Sequence, residues 1–180
     1  MRRFFFLSIL MAAIVVPTPS QASDAPLRWG RTGERQLVLE VSGVPGRFVK
    51  AIRASAADWS RSPSVEIVVR EGGTCWDFRN RLELCGSRYP EATWLGLTSV
   101  WDNDRGEIRY VSIEVNLAKV WTWERRRFVA CHELGHALGV THRTELSSRS
   151  CMVSGFSRVS GSPAIPDATD LANLASLYEG

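Results

Sequence analysis

The sequence lacks an excess of charge of one sign. It holds 22 Lys and Arg against 19 Asp and Glu, and two of the basic residues, Arg2 and Arg3, belong to an N-terminal leader, so the rest of the chain carries a net charge of +1. A chain this close to neutral gives no electrostatic basis for binding nucleic acid or an anionic membrane, and we expect neither as a partner. Its 14 Gly and 8 Pro are too few for a collagen-like or low-complexity chain.

The sequence also lacks an apolar run long enough to span a bilayer. The longest one covers residues 4–16, well short of the roughly 20 residues that a membrane helix needs. Two arginines precede this run and a small-residue site ending at Ala22 follows it, which is the layout of a secretory signal peptide. We therefore predict a signal peptide at residues 1–22 and a single exported domain at 23–180, released to a periplasm or to the medium.

Cysteine is scarce but even in number: Cys75, Cys85, Cys131 and Cys151. No two of them have the C-x-x-C spacing of a common zinc-binding pair, so in an exported chain they indicate two disulfides. Four cysteines allow three pairings. We favour the pairing of sequence neighbours, Cys75 with Cys85 and Cys131 with Cys151.

The spacing of apolar residues predicts both strands and helices. Residues 36–41 alternate as a half-buried strand does, and residues 47–60 repeat at helical spacing with Trp59 on the apolar face. By the same criteria we predict strands at 65–69, 93–101 and 108–117, helices at 122–138 and after an Asp167 cap, and a disulfide-stapled hairpin or loop at 72–89. This order of elements is typical of one α+β domain.

All three histidines of the sequence lie in one motif, H-E-x-x-H-x-x-G-x-x-H, as His132, His136 and His142. Four residues turn a helix by about 400°, so the first two histidines project from one face and can bind one ion. Glu133 lies about 100° away, beside such an ion rather than on it. Gly139 permits a left-handed turn that returns the third histidine to the site. Three neutral imidazoles with one open position are typical of a catalytic zinc site.

This motif is the signature of the metzincin metalloproteases, which the sequence resembles. Ser150-Cys151-Met152 resembles the metzincin turn that places a methionine under the zinc, where Met152 is not a ligand. A Cys131–Cys151 disulfide would tie this turn to the zinc helix. Within the metzincins the sequence is most similar to a minimal matrixin, because Phe128-Val129-Ala130 leads into the motif and Leu177-Tyr178 resembles the end of the matrixin C-terminal helix.

The resemblance implies both a fold and an activity. The fold is α+β, a twisted mixed β-sheet with an active-site zinc helix, a Met-turn and a C-terminal helix. The activity is that of a secreted, monomeric, zinc-dependent endopeptidase with one zinc on His132, His136 and His142, in which Glu133 takes a proton from the attacking water. Residues 93–101 resemble the matrixin edge strand that pairs with an extended substrate, which implies a protein or peptide substrate.

Two other functions remain open at this stage. One is a secreted zinc-binding protein that keeps a metzincin fold without significant peptidase activity, and the other is a zinc hydrolase of a non-protein amide. Val153-Ser154 departs from the Tyr-Pro usual after the matrixin methionine, and we expect Phe156 to line the substrate pocket there.

Two charged clusters also require an interpretation. Asp102, Asp104 and Glu107 offer the carboxylates that Ca²⁺ prefers, but such residues beside Gly106 are equally typical of a hairpin turn, which we favour. Arg125-Arg126-Arg127 is interpreted as a solvated patch at the start of the zinc helix.

Overall fold

The strands and helices come from a computed structural model, which describes residues 26–30, 36–77, 81–120, 122–143, 150–153 and 164–179. The predicted signal peptide, Ser154 and Phe156 lie outside these residues. The described elements are, in chain order, β1 (Arg28–Trp29), β2 (Gln36–Ser42), α1 (Gly46–Trp59), β3 (Glu66–Glu71), β4 (Leu82–Ser87), β5 (Gly96–Asp102), β6 (Glu107–Asn116), α2 (Trp123–Ala137) and α3 (Ala168–Glu179).

The strands form one mixed sheet. β3, β2, β4 and β6 lie side by side and parallel, and β1 pairs in parallel with the start of β6. β5 runs antiparallel to β6 and has no second partner among the described strands. The mixed sheet and the α+β fold class are therefore confirmed, and β5 presents a free edge within the described structure.

The prediction of a hairpin or loop at residues 72–89 was wrong in part, because β4 is an internal strand of the sheet. Both of its faces are covered, so its first four residues are all buried and show no alternation. Glu83 hides this pattern in the sequence. Its carboxylate is buried but accepts hydrogen bonds from the Tyr110 hydroxyl at 2.5 Å and from the Trp76 backbone N–H at 2.8 Å.

The disulfide predicted in the same segment is present. Cys75 and Cys85 are bonded, with their Cα atoms 5.8 Å apart. The bond attaches the segment after β3 to the central strand β4.

Helices α1 and α2 pack against each other through buried side chains. The Trp59 indole N–H donates to the Cys131 carbonyl oxygen at 2.9 Å, and Trp59 has no exposed surface.

The prediction of a solvated patch at 125–127 was wrong for Arg126 and Arg127, which are each 8% exposed. Arg127 pairs with Asp58 at 2.5 Å, because a buried guanidinium needs hydrogen-bond acceptors. None of the described helices has the length and apolar character needed to cross a bilayer.

A turn carrying a methionine lies beneath α2. The second predicted disulfide, between Cys131 and Cys151, is present with a Cα–Cα distance of 6.0 Å. It fixes the fully buried Met152 against α2 at Gly135, where an added Cβ would collide with the Met152 sulfur. The turn is tied to α3 as well, because the Ser150 hydroxyl donates to the buried Asp170 carboxylate.

The C-terminal helix begins as predicted. The Asp167 carboxylate accepts the Asp170 backbone N–H at 3.0 Å, which satisfies one of the free donors at the start of α3. Leu174 is fully buried and Tyr178 donates its hydroxyl to the Leu138 carbonyl oxygen at 3.3 Å. α3 thereby supports the C-terminal end of α2.

We expect Gly135→Ala to destabilise the protein by about 1–3 kcal/mol, although alanine normally stabilises a helix. The new Cβ would lie 2.7 Å from Cζ2 of the Trp59 ring, besides its clash with Met152. Gly46→Ala is the matched control, because nothing lies within 4 Å of its Cβ position. Urea unfolding of both variants with a metal chelator present tests this, and equal stability of Gly135→Ala and wild type would contradict it.

Candidate metal centre

The end of α2 brings the three histidines together. His132 and His136 lie one helical turn apart on α2, and Leu138 is the C-cap residue of that helix. Gly139 has φ +92°, and the Val140 N–H donates back to the Gly135 carbonyl oxygen at 2.9 Å. This is a Schellman turn, which reverses the chain after the helix and carries His142 back beside the other two imidazoles.

The three imidazoles converge at short range. Each pair of Nε2 atoms among His132, His136 and His142 is 3.1 Å apart. Nitrogen ligands of one tetrahedral zinc ion, each 2.0–2.1 Å from the metal, lie about 3.3 Å from one another. The triad therefore has the spacing of ligands to a single ion.

The outer nitrogens show which tautomer these rings adopt. His132 Nδ1 lies 2.7 Å from the Cys151 carbonyl oxygen, and His136 Nδ1 lies 2.9 Å from the Val140 carbonyl oxygen. A carbonyl only accepts, so each Nδ1 carries the proton and each Nε2 presents a lone pair. Two lone pairs facing each other at 3.1 Å repel unless a cation lies between them. The donor set thus fits a divalent metal ion.

No other group of this kind occurs in the part of the chain that the structure describes. There, the three histidines are the one set of three or more His, Cys, Asp or Glu side chains close enough to share an ion. Around the 102–107 turn, the Glu107 carboxylate accepts from the Asn103 amide at 2.9 Å and from Arg109 at 2.8 Å. Asn103 in turn accepts the Glu107 backbone N–H at 3.0 Å, an arrangement that serves the hairpin turn.

Glu133 lies beside the triad and is 6% exposed. Burial raises the pKa of its carboxyl group to about 7, and a hydrogen bond from Thr98 opposes the rise. Burial lowers the pKa of His132 to about 4, with a further lowering by the charge of the other two imidazoles. Burial also lowers the pKa of His136. Near neutral pH these two imidazoles are therefore unprotonated, as metal binding requires.

Two residues of this site were not recognised as site residues from the sequence alone. Thr98 Oγ1 lies 2.7 Å from Glu133 Oε2, and a Cβ at Gly96 would lie 2.6 Å from Glu133 Oε1. Both belong to β5, which passes over α2. With the histidines they line a cavity of about 410 Å³. A threonine and a glycine in a strand carry no local signal, so only the packing of β5 on α2 reveals them.

Comparisons with known proteins found similar solved structures but no similar family model or sequence. No model of a protein family matches the chain, and no curated protein sequence matches it. Two structures of myroilysin match with a TM-score of 0.54, one at 14% identity over 84% of this chain and 82% of that one, the other at 12% over 91% and 89%. High choriolytic enzyme 1, a hatching enzyme zinc-protease from Oryzias latipes (medaka fish), matches with a TM-score of 0.47 at 13% identity over 90% and 98%.

The likeness to myroilysin shows the metzincin-like fold that the sequence predicted. At identities of 12% and 14% it shows the fold alone. The match to the hatching enzyme has too low a TM-score to add an argument. A shared fold does not determine the reaction, so the chemistry of the site depends on its own residues.

The raised pKa of Glu133 predicts how stability depends on pH. In the metal-free protein, folded Glu133 keeps a proton between about pH 4.5 and 7 that the unfolded chain releases. Wild type should therefore lose up to about 3 kcal/mol of stability relative to Glu133→Gln as the pH rises through this window. The opposite pH dependence that arises from His132 is common to both proteins and cancels in the difference. Unfolding free energies of both, measured from pH 4 to 8, test this; parallel curves would contradict it.

Proposed function

We propose that the chain is an exported zinc-dependent endopeptidase, with His132, His136 and His142 as the zinc ligands and Glu133 as the general base. One observation carries the proposal: three imidazole nitrogens 3.1 Å apart converge beside a buried carboxylate in a cavity bordered by a strand edge. Lone pairs in that arrangement suit a cation, and a buried carboxylate with a pKa of about 7 suits proton exchange near neutrality.

The protein's own residues supply the proton transfers. A zinc ion held by three imidazoles acts as a Lewis acid and makes water a stronger acid. The Glu133 carboxylate accepts one proton from the water that attacks the scissile carbonyl. It then donates that proton to the amine as the C–N bond breaks, so the carboxylate is regenerated. The outer hydrogen bonds of His132 and His136 to backbone carbonyls keep both rings oriented throughout.

The edge of β5 is suited to an extended peptide. Its residues Gly96, Leu97, Thr98 and Val100 line the same cavity as the histidines. A peptide that adds a strand there is held by main-chain hydrogen bonds, which favours protein or peptide substrates of broad sequence. Leu97 and Trp101 are both 43% exposed and can contact substrate side chains. Together with the motif and the methionine turn, this supports a matrixin-like peptidase.

Export is supported by the covalent structure. Both cysteine pairs are bonded, and disulfides persist mainly in oxidising compartments. The apolar leader predicted at residues 1–22 supplies a route to such a compartment. We therefore place the mature protein outside the cytoplasm.

The mature, oxidised protein should contain one zinc ion per chain. His136→Ala should lose most of it, because removal of one of three ligands leaves too few to hold the ion against dilution. Arg61→Ala, at an exposed position after α1, is the control that should retain zinc. Elemental analysis after dialysis tests this, and a wild-type protein that takes up no metal would overturn the proposal.

Wild-type protein should cleave a mixture of unstructured peptides, and a chelator should abolish the cleavage. Glu133→Ala should retain zinc yet lose roughly 10²–10⁴-fold in kcat, the usual contribution of a general base. Glu91→Ala, also an exposed position, is the matched control and should keep full activity. Mass spectrometry of the peptide products measures cleavage by wild type, Glu133→Ala and Glu91→Ala.

Three other outcomes are possible, and each leads to a different conclusion. Bound zinc without cleavage of any peptide would support a zinc-binding protein with this fold. Cleavage confined to a non-peptide amide would support a different hydrolase. Full activity in Glu133→Ala would remove Glu133 from the mechanism.

A further inference from the structure

A threonine on β5 contacts the general-base candidate at two points. Thr98 Oγ1 lies 2.7 Å from Glu133 Oε2 and 3.1 Å from the main-chain oxygen of the same residue. Among the described residues it is the one hydrogen-bond partner of that carboxylate. We propose that Thr98 is a positioning residue whose hydroxyl holds Glu133 Oε2 and leaves Oε1 to exchange the proton. The inference rests on the proposed function and assigns a role that the motif does not contain.

The strand holds Thr98 in place. Thr98 lies opposite Ile113 of β6, a fully buried residue of the core, so its backbone is fixed by the sheet. As a β-branched residue it also has few side-chain rotamers. A glutamate side chain alone has considerable rotamer freedom, and a hydrogen bond from a fixed donor removes much of it.

Gly96 leaves room for the other carboxylate oxygen. A Cβ at this position would lie 2.6 Å from Glu133 Oε1 and 2.7 Å from its Cγ. The absence of a side chain there allows β5 to approach α2 closely enough for Thr98 to reach the carboxylate. One strand therefore provides both the donor for Oε2 and the space beside Oε1.

The hydrogen bond can persist through the proposed proton exchange. A hydroxyl has one proton to donate, and Oε2 can accept it whether Glu133 is a carboxylate or carries the extra proton on Oε1. No heavy atom has to move between the two states. Since a misplacement of about 1 Å can cost about 10²-fold in rate, a base held in this way has a direct effect on turnover.

The same strand is proposed to pair with the substrate. If β5 holds both the extended peptide and the base, their relative position is set by one element rather than by the packing of two. Loss of the Thr98 hydroxyl should therefore lower kcat, while the peptide still binds to the strand edge and KM stays nearly the same.

The test compares Thr98→Val, which lacks the hydroxyl, with Thr98→Ser, which keeps it. Hydrogen bonds to charged groups are strong, so Thr98→Val should lower kcat by about 10- to 100-fold with KM changed by less than about twofold. Thr98→Ser should recover most of the loss. Thr74→Val makes the same chemical change at an exposed position and should match wild type. Zinc content should be equal in all four proteins.

A second measurement does not depend on activity. In metal-free protein, the changes in thermal midpoint caused by Thr98→Val and by Glu133→Ala should not add up in the double variant, because each change removes the same hydrogen bond. If valine prevents folding, the pair Thr98→Ala and Thr98→Ser makes the same comparison of hydroxyl with no hydroxyl.

The outcomes separate this inference from the proposed function. If wild type is active, three results would overturn the role of Thr98 alone. The first is a Thr98→Val variant that is as active as wild type, and the second is a Thr98→Ser variant as impaired as Thr98→Val. The third is a Thr98→Val variant with a raised KM at unchanged kcat. Additive changes in thermal midpoint would overturn it as well. A zinc-loaded wild type without peptidase activity would instead overturn the proposed function.

Discussion

The site depends on the approach of imidazole nitrogens that repel one another without a cation. His132 and His136 each donate Nδ1–H to a backbone carbonyl, so their Nε2 lone pairs face each other at 3.1 Å. Such an arrangement is held by the surrounding fold and stabilised when an ion neutralises it. The elements around the triad can be understood as the means of holding it: the Schellman turn for His142, the helix α2 for the other two rings, and the methionine turn beneath them.

Four contacts hold the turn beneath α2. The disulfide joins Cys151 to Cys131, the residue before the first histidine, and the Cys151 carbonyl oxygen accepts from His132 Nδ1. Cys151 thus carries both a covalent link to α2 and the hydrogen bond that sets the tautomer of the first imidazole. Met152 fills the space under Gly135, and Ser150 ties the turn to α3. A change in any of these contacts is therefore expected to alter the orientation of the His132 ring.

Apart from the two cysteine pairings, the features that could be predicted from the sequence depend on nearby residues, and those that could not depend on distant ones. The histidine motif, the Asp167 cap and the left-handed Gly139 are local, and the structure shows the geometry expected of each. The strand β4 was not recognised, because Glu83 interrupts its apolar run and finds its partner Tyr110 27 residues away. Arg127 was expected in solvent, but its partner Asp58 is 69 residues away. Thr98 reaches Glu133 across 35 residues, a contact that exists only once β5 lies on α2.

The proton affinity of Glu133 depends on its burial beside the three imidazoles. Burial raises the pKa of the carboxyl group, whereas a cation on the imidazoles would favour its charged form. The Thr98 hydrogen bond acts in the same direction as the cation. Before any cation binds, burial and the Thr98 hydrogen bond together leave the pKa of the carboxyl group at about 7. In the proposed function, a carboxyl group with a pKa in this range can both accept and return a proton near neutrality. The close packing of β5 on α2 produces the burial and supplies the hydrogen bond. In the proposed function, one edge strand would therefore set the proton affinity of the base and also bind the substrate.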